Sequence, residues 1–245
     1  MNKTLILIPS RMAATRLPGK PLFKINNLSI ISHVFKRAEE ANIGEVVVAT
    51  EDQEILDDVV KNGGRAILTS KIHKTGTDRI FEAYKKLGIK NVEYILNLQG
   101  DEPDINKDDI IKLNNLMDEN NADIGTLAAV IKDNKVLNDK NVVKVITESS
   151  LETKNFSKAI DFSRENLPKT KNIYHHVGIY SYKTNILEKF VSLDQTKNEI
   201  KNKLEQLRAL ENQIKINVGL SDSTSIGVDT EEDYLAIKKI MEYKL

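Results

Sequence analysis

The chain contains no cysteine. That absence excludes disulfides, thiolate metal sites and any thiol nucleophile. It also lacks an excess of either charge, since 36 Lys and Arg balance 36 Asp and Glu. No global field draws it to nucleic acid or to an anionic membrane, so any basic site has to be local. Long apolar runs are missing too. The run that follows Met1-Asn-Lys-Thr is too short for a signal peptide or a membrane span. A cytoplasmic protein without membrane insertion is therefore expected, and the Asn-x-Ser/Thr triplets at Asn2, Asn27 and Asn155 carry no glycosylation signal in that setting. No stretch rich in Pro, Gly or Ser divides the 245 residues, and no internal repeat is visible. At 40% apolar and 29% charged, the composition is that of a soluble globular chain able to bury a substantial core.

Strand and helix patterns alternate along the first half. Thr4-Leu-Ile-Leu-Ile8 reads as a buried strand ended by Pro9, which cannot donate to a sheet ladder. Ile30, Ile31, Val34, Phe35 and Ala38 recur at helical spacing and predict an amphipathic helix over 29–42. Glu45-Val-Val-Val-Ala49 is a continuous apolar strand of the kind buried on both faces of a parallel sheet. Ile55, Leu56, Val59 and Val60 mark a helix stopped by Gly63-Gly64, and Ala66-Ile-Leu68 a short strand. Ile80, Ala83, Tyr84 and Leu87 give another helix with Gly88 as its cap, and Tyr94-Ile-Leu-Asn-Leu98 another strand. This rhythm predicts an α/β fold with a doubly wound, mostly parallel, Rossmann-like sheet.

Past residue 124 the pattern changes. Gly125–Ile131, Val142–Thr147 and Val177–Tyr182 read as strands with few helices between them. They predict a smaller β-rich lobe at about 124–195, embedded in a single domain over 1–245, with residues 149–173 as a mobile flap. A helix is expected over 198–212, a strand over Lys215–Leu220 and a final helix over Thr230–Tyr243, opened by a Thr230/Asp233 capping box.

The first strand is followed by Arg11-Met-Ala-Ala-Thr-Arg16-Leu-Pro-Gly-Lys20. Arg11, Arg16 and Lys20 lie on one loop at a strand's carboxyl end, where planar guanidinium forks and an ammonium can converge on a polyphosphate. The segment is neither the Gly-x-Gly-x-x-Gly turn nor the Gly-x-x-x-x-Gly-Lys-Ser/Thr loop. A solvated basic loop is the alternative. Asn97-Leu-Gln99-Gly100-Asp101-Glu-Pro also lies where a strand ends, and Gly227-Val-Asp229 stands just before a helix. Two carboxylates in such a crevice suit magnesium, which takes hard oxygen ligands and shares its sphere with substrate phosphates. The alternative places Asp101 in a turn and Asp229 at the next helix N-terminus. Thr75-Gly76-Thr77-Asp78-Arg79 opens a helix whose free N–H groups can read a nucleotide. Capping by Thr77 or Asp78 is the plainer reading. Glu205 and Gln206 can equally be exposed positions on a helix with Leu204, Leu207 and Leu210 on its core face.

The loop from Arg11 to Leu22 resembles the signature of the sugar-acid cytidylyltransferases, and within them the 3-deoxy-manno-octulosonate (Kdo) cytidylyltransferase family. Further matching blocks follow in order: Gly76-Thr-Asp-Arg79, Asn97-Leu-Gln-Gly-Asp-Glu-Pro103, Val142-Val-Lys-Val145, Phe162-Ser-Arg164, His176-Val-Gly-Ile-Tyr180, Leu204-Glu-Gln-Leu-Arg208 and Gly227-Val-Asp-Thr230. The resemblance implies transfer of CMP from CTP to a Kdo-type sugar acid for lipopolysaccharide synthesis, with a magnesium cofactor and a homodimer formed through the lobe. It implies Arg11, Arg16, Lys20 and Asp101 as catalytic residues, and Asp101 and Asp229 as metal ligands. Arg11, Arg16, Lys20, Thr75, Gly76, Arg79 and Gln99 become nucleotide contacts. Gln99, Arg164, His176, Tyr180, Glu205 and Gln206 become sugar contacts. Two departures bear on the sugar. His175 stands where the family often has arginine, and Lys197–Lys203 is more basic than the usual lead into Leu204-Glu-Gln-Leu-Arg208. An amino-substituted Kdo analogue or another sugar acid is therefore an alternative substrate. A catalytically silent nucleotide-sugar binding module is the alternative of another class.

Overall fold

The computed structural model describes residues 3–13, 16–165, 172–223 and 227–243. The chain divides into two units, residues 1–111 with 225–245 and residues 112–224. The second is wider than the lobe expected from the strand pattern.

In the first unit β1 (Thr4–Ser10) is followed by a 3-10 turn, Lys20–Leu22, and by a small hairpin of β2 (Lys24–Ile25) and β3 (Leu28–Ser29). Then come α1 (Ile30–Glu40), β4 (Gly44–Thr50), α2 (Gln53–Lys61), β5 (Ala66–Leu68), α3 (Gly76–Leu87), β6 (Tyr94–Asn97) and the start of α4 (Lys107–Asn120). The four long-range strands are parallel in the order β5-β4-β1-β6, with Leu5 opposite Glu45 on one side and Ile95 on the other. Leu5 to Ile8 and Val46 to Ala49 are all buried, as strands covered on both faces must be. The chain fills one side of β1 with β4 and β5, then returns to the other side with β6. At such a reversal the carboxyl ends of neighbouring strands diverge and leave a crevice. Here those ends are Ser10 and Asn97.

Local signals set the helix ends. The Ser29 hydroxyl accepts from the Ser32 N–H at 3.2 Å to start α1, and α3 ends on Gly88 at φ 62°, a conformation that glycine adopts without a Cβ clash.

The second unit holds the remainder of α4, then β7 (Ile124–Val130), α5 (Asn134–Asn138), β8 (Lys144–Thr147), β9 (Phe156–Ser163), β10 (Ile173–Lys183), α6 (Thr184–Val191), α7 (Lys197–Asn202), α8 (Gln206–Glu211) and β11 (Ile216–Leu220). Its strands run β10-β7-β11-β9-β8, and β8 pairs with β10 as well. Only β11 against β7 is parallel in this unit among the described residues. A Cβ on Gly125 would stand 2.5 Å from Met117 Sδ, so glycine there lets α4 lie directly on β7.

Two sequence expectations are corrected here. The proposed flap over 149–173 contains β9, whose Phe156, Ala159 and Phe162 are buried. Residues 166–171 of that span lie outside the described residues. The helix expected over 198–212 is two helices, broken where Lys203 takes φ 53°. In addition α4 and α6 carry no predicted counterpart, and β10 extends back to include both His175 and His176.

The C-terminal stretch returns to the first unit as α9 (Glu231–Tyr243). The capping box is present: Thr230 N–H donates to Asp233 Oδ2 at 2.9 Å and Asp233 N–H to Thr230 Oγ1 at 3.2 Å.

Candidate active site

A cleft of about 340 Å³ opens beyond the carboxyl ends of β1 and β6 in the first unit. Arg11, Arg16, Lys20, Thr75, Gly76, Arg79, Gln99, Asp101 and Asp229 all line it, together with His73 and Lys74. Every expected nucleotide and metal residue is therefore on one wall or another of the same cavity.

Lys20 organises the floor. Its Nζ donates to Asp101 Oδ2 at 2.6 Å, to the Val228 carbonyl at 2.7 Å and to Asp229 Oδ1 at 3.1 Å. Arg16 Nη2 meets the other Asp229 oxygen at 2.7 Å. A backbone bond from Val228 N–H to the Asp101 carbonyl, 2.9 Å, ties the same two segments. Burial pulls the Lys20 ammonium down, but Asp101 first and Asp229 second outweigh it and hold it above its ordinary value of 10.5. Asp101 lies in a turn and aims its carboxylate at the Lys20 ammonium, while α9 is capped by Thr230 in its box with Asp233 rather than by Asp229.

The loop that delivers Lys20 is pinned at Met12. The Met12 N–H donates to Asp52 Oδ2 at 2.7 Å, and the Met12 carbonyl accepts from Gly19 N–H at 3.1 Å. Gly19 then takes φ 76° and starts the turn bearing Lys20. Asp52 stands at the N-cap of α2 without bonding that helix through its side chain. Ala14 and Thr15, between Arg11 and Arg16, lie outside the described residues.

Gly76 and Gly100 line the cleft and also allow close packing against Pro9. A Cβ on Gly100 would stand 2.8 Å from the Pro9 carbonyl oxygen, and one on Gly76 would stand 3.3 Å from Pro9 Cγ. Both let neighbouring segments close over the end of β1. Gly227 has nothing within 4 Å of its Cβ position, so no crowding explains it.

Thr75, rather than Thr77 or Asp78, caps α3 by accepting from the Asp78 N–H at 3.2 Å. Arg79 lines the cleft with its guanidinium anchored: Nη1 donates to Thr69 Oγ1 at 2.7 Å and Nη2 pairs with Glu51. It thus fixes the cleft wall. His73 belongs to none of the matching blocks, yet it lines the cleft and its Nε2 bonds Glu82. Burial raises the Glu82 carboxyl, while Lys86, His73 and the Ser70 N–H together lower it from 4.5 to about 2.

The expected sugar contacts other than Gln99 belong to the second unit. His176 packs between Phe162 and Tyr180, with ring centroids 5.2 and 5.3 Å away. Its Nε2 lies 3.0 Å from Thr126 Oγ1, and that hydroxyl lies 2.7 Å from the Ile179 carbonyl. The single hydroxyl proton goes to the carbonyl, so His176 is the donor to Thr126, with its proton on Nε2. Burial, then His175 and Arg164, lower its pKa to about 3, which keeps the ring neutral. The Tyr180 hydroxyl is buried without a hydrogen-bond partner among the described residues. Gln206 is buried, not exposed, and Glu205 is half-buried at the start of α8. Arg164 Nη1 donates to the Asn141 carbonyl at 2.8 Å. Arg208, which closes the Leu204 block, is internal: with Glu199 it forms a buried pair at 2.8 and 2.5 Å and stacks 4.6 Å from the Phe190 ring centre.

Among the described residues no group of three or more His, Cys, Asp or Glu could hold a metal alone. Asp101 and Asp229 fit a cation that takes one or two carboxylates and completes its sphere with substrate oxygens, the habit of magnesium.

The sequence model of the cytidylyltransferase family matches residues 5–216. The 3-deoxy-manno-octulosonate cytidylyltransferase of Rhodopseudomonas palustris (strain BisB18) is 46% identical over 244 residues, 99% of each chain. That of Thermodesulfovibrio yellowstonii is 45% identical over 249 residues, 97% of this chain and 98% of its own. The solved structure of a CMP:2-keto-3-deoxy-manno-octonic acid synthetase complexed with CTP matches with a TM-score of 0.89 at 34% identity over 99% of both chains. A UDP-glucose pyrophosphorylase complexed with UDP-glucose matches at 0.72 with 16% identity over 99% of both chains, which shows a common fold alone. The chain belongs to the cytidylyltransferase family and, within it, to the 3-deoxy-manno-octulosonate cytidylyltransferases.

Proposed function

We propose that the protein transfers the cytidylyl group of CTP to a Kdo-type sugar acid, giving the CMP-sugar and pyrophosphate for lipopolysaccharide assembly. The observation that carries this reading is the Lys20 ammonium joining Asp101 and Asp229 in a cleft rimmed by Arg11 and Arg16. The oxygen of the anomeric C2 hydroxyl attacks the α-phosphorus in line, the bond from that phosphorus to the oxygen bridging the β-phosphate breaks, and pyrophosphate and the hydroxyl proton are released. Arg11, Arg16 and Lys20 hold the triphosphate and offset the charge that grows on the departing pyrophosphate. Thr75, Gly76, Arg79 and Gln99 shape the wall that receives the nucleotide. Gln99 also contacts the sugar acid, as do Arg164, His176, Tyr180, Glu205 and Gln206. Asp101 and Asp229 would hold magnesium, which when bound supplies positive charge to the phosphate oxygens. The reaction needs no covalent enzyme intermediate.

The remaining parts of the reading are a doubly wound, Rossmann-like arrangement of the parallel strands, a homodimer formed through the β-rich unit, and a cytoplasmic location. Among the described residues no helix is long and apolar enough to cross a membrane. Exposed Ile160 and Ile200 offer apolar surface for the dimer contact, which sedimentation of the purified protein checks.

The deciding assay is pyrophosphate release with CTP, magnesium and Kdo, with and without EDTA. Binding of CTP and sugar without turnover would return the chain to a silent binding module. The sugar is read by comparing kcat/KM for Kdo, 8-amino-substituted Kdo and sialic acid. Kdo is expected to lead, and a preference for sialic acid would overturn the substrate.

A further inference from the structure

Lys144 is a fully buried cation on β8 that the cytidylyl transfer does not use. Burying an ammonium is costly unless it is paired or fully hydrogen-bonded. Among the described residues no carboxylate bonds this one. Its Nζ donates to two backbone carbonyls, Asp139 at 3.0 Å and Arg164 at 3.1 Å. An apolar side chain of similar size would fill the same space without the desolvation cost, so the charge answers a demand other than packing. The bonds show what the demand is.

Lys144 stands opposite Ser163 on β9 and opposite His175 on β10. It therefore sits where β9 ends and Arg164 begins. Its two acceptors belong to the two segments that frame the Arg164 side chain: Arg164 itself, and the 139–141 turn whose Asn141 carbonyl accepts from Arg164 Nη1 at 2.8 Å. The turn is closed internally, with Asn141 N–H on Asp139 Oδ1 at 2.8 Å and Val142 N–H on the Asp139 carbonyl at 3.2 Å. The ammonium thus fixes the Arg164 backbone relative to the carbonyl that orients its guanidinium. An ammonium with three donors on one centre can serve both segments at once, which a methionine cannot do. Burial lowers the Lys144 pKa, the Asp139 carboxylate opposes that, and the Arg164 guanidinium adds to the lowering. The same cation, after burial, helps to keep His175 neutral.

We infer that Lys144 is a positioning residue for the sugar acid: it locks Arg164 in the pose in which the guanidinium fork meets the substrate carboxylate. This rests on the reading of Arg164 as a sugar contact. A fork displaced by an ångström loses its bidentate geometry and with it much of its binding.

The test is a double-mutant cycle of Lys144→Met and Arg164→Ala in the full-length protein, read by steady-state kinetics with Kdo and CTP. Lys144→Met is expected to raise the KM for Kdo about tenfold or more while the KM for CTP stays within about twofold. In the Arg164→Ala background the same change is expected to add nothing, because Lys144 acts through Arg164. Lys144→Gln, which keeps one donor, is expected to fall between, and it stands in should the methionine variant not fold. Additive effects on the KM for Kdo, or equal losses for both substrates, would overturn the inference and leave Lys144 a structural tie. If Arg164→Ala alone leaves the KM for Kdo unchanged, the reading of Arg164 itself fails, and the inference with it.

Discussion

Replacing Lys20 with methionine removes one ammonium and leaves a side chain of similar length. Three acceptors lose their donor at once: Asp101, the Val228 carbonyl and Asp229. The Lys20 side chain is only 13% exposed, while Asp101 and Asp229 are 30% and 45% exposed. Its field is therefore felt in a partly desolvated setting, where losing a charge aimed at a growing anion costs about 10²–10³ in turnover, or about 2.7–4 kcal/mol. The expected result is a kcat at saturating CTP and Kdo about a hundredfold below that of the parent, the lower figure because Arg11 and Arg16 still face the cleft. One further readout, the alkaline pH dependence of stability, separates this from general damage and has a definite sign. Lys20 is held above 10.5 in the folded state, so its stabilisation is complete below 10.5 and is lost as pH climbs through the raised value. The parent should show that loss in urea midpoints measured upward from pH 10, and the variant should not. A kcat within twofold of the parent, with the alkaline loss of stability unchanged, would refute the assignment of Lys20.

Other side chains carry equally definite expectations. Glu82 is held at about 2 against 4.5, so its stabilisation is complete above pH 4.5 and drains away toward pH 2; Glu82→Gln should lower urea midpoints at pH 7 and differ little from the parent at pH 2. Asp52→Ala removes the acceptor of the Met12 N–H and should reduce kcat severalfold, whereas Asp52→Asn keeps an acceptor and should restore most of it. Arg208→Ala strands the buried Glu199 carboxylate and should cost about 3–5 kcal/mol in chemical denaturation, with part recovered by adding Glu199→Gln.

The parallel strands were legible because each is a short apolar run with a turn signal beside it. Val46 to Ala49 can be read directly, since a strand buried on both faces needs no alternation. The antiparallel unit was harder for the opposite reason. β9 alternates buried Ser157 and Ala159 with exposed Lys158 and Ile160, and its polar positions resemble a loop when counted by composition. The break at Lys203 was hidden by type: a lysine at φ 53° announces nothing, where a glycine would have. Helix α4 did carry a signal, since buried Ile110, Leu113 and Met117 recur at helical spacing.

The site shows the same division between residue type and partner. A loop of cations and two strand-end carboxylates could be recognised, since their chemistry is a property of single side chains. What each one touches is decided by chain crossings of 81 and 209 residues, the separations from Lys20 to Asp101 and Asp229. Arg79 and Arg208 illustrate the consequence. Both are arginines in blocks that point to a ligand, yet Glu51 and Glu199 take their guanidinium groups. Neither acid belongs to those blocks. The even balance of 36 cations and 36 anions is then more than a neutral sum. Much of the charge near the cleft is paired internally, as in Arg79 with Glu51 and Lys20 with Asp101. Arg11 and Arg16 stand exposed at its rim, Arg16 with one nitrogen on Asp229, so the field that meets an incoming triphosphate comes from a few side chains at one end of β1. A local field of that kind can select a polyphosphate in a protein with no net charge to attract one.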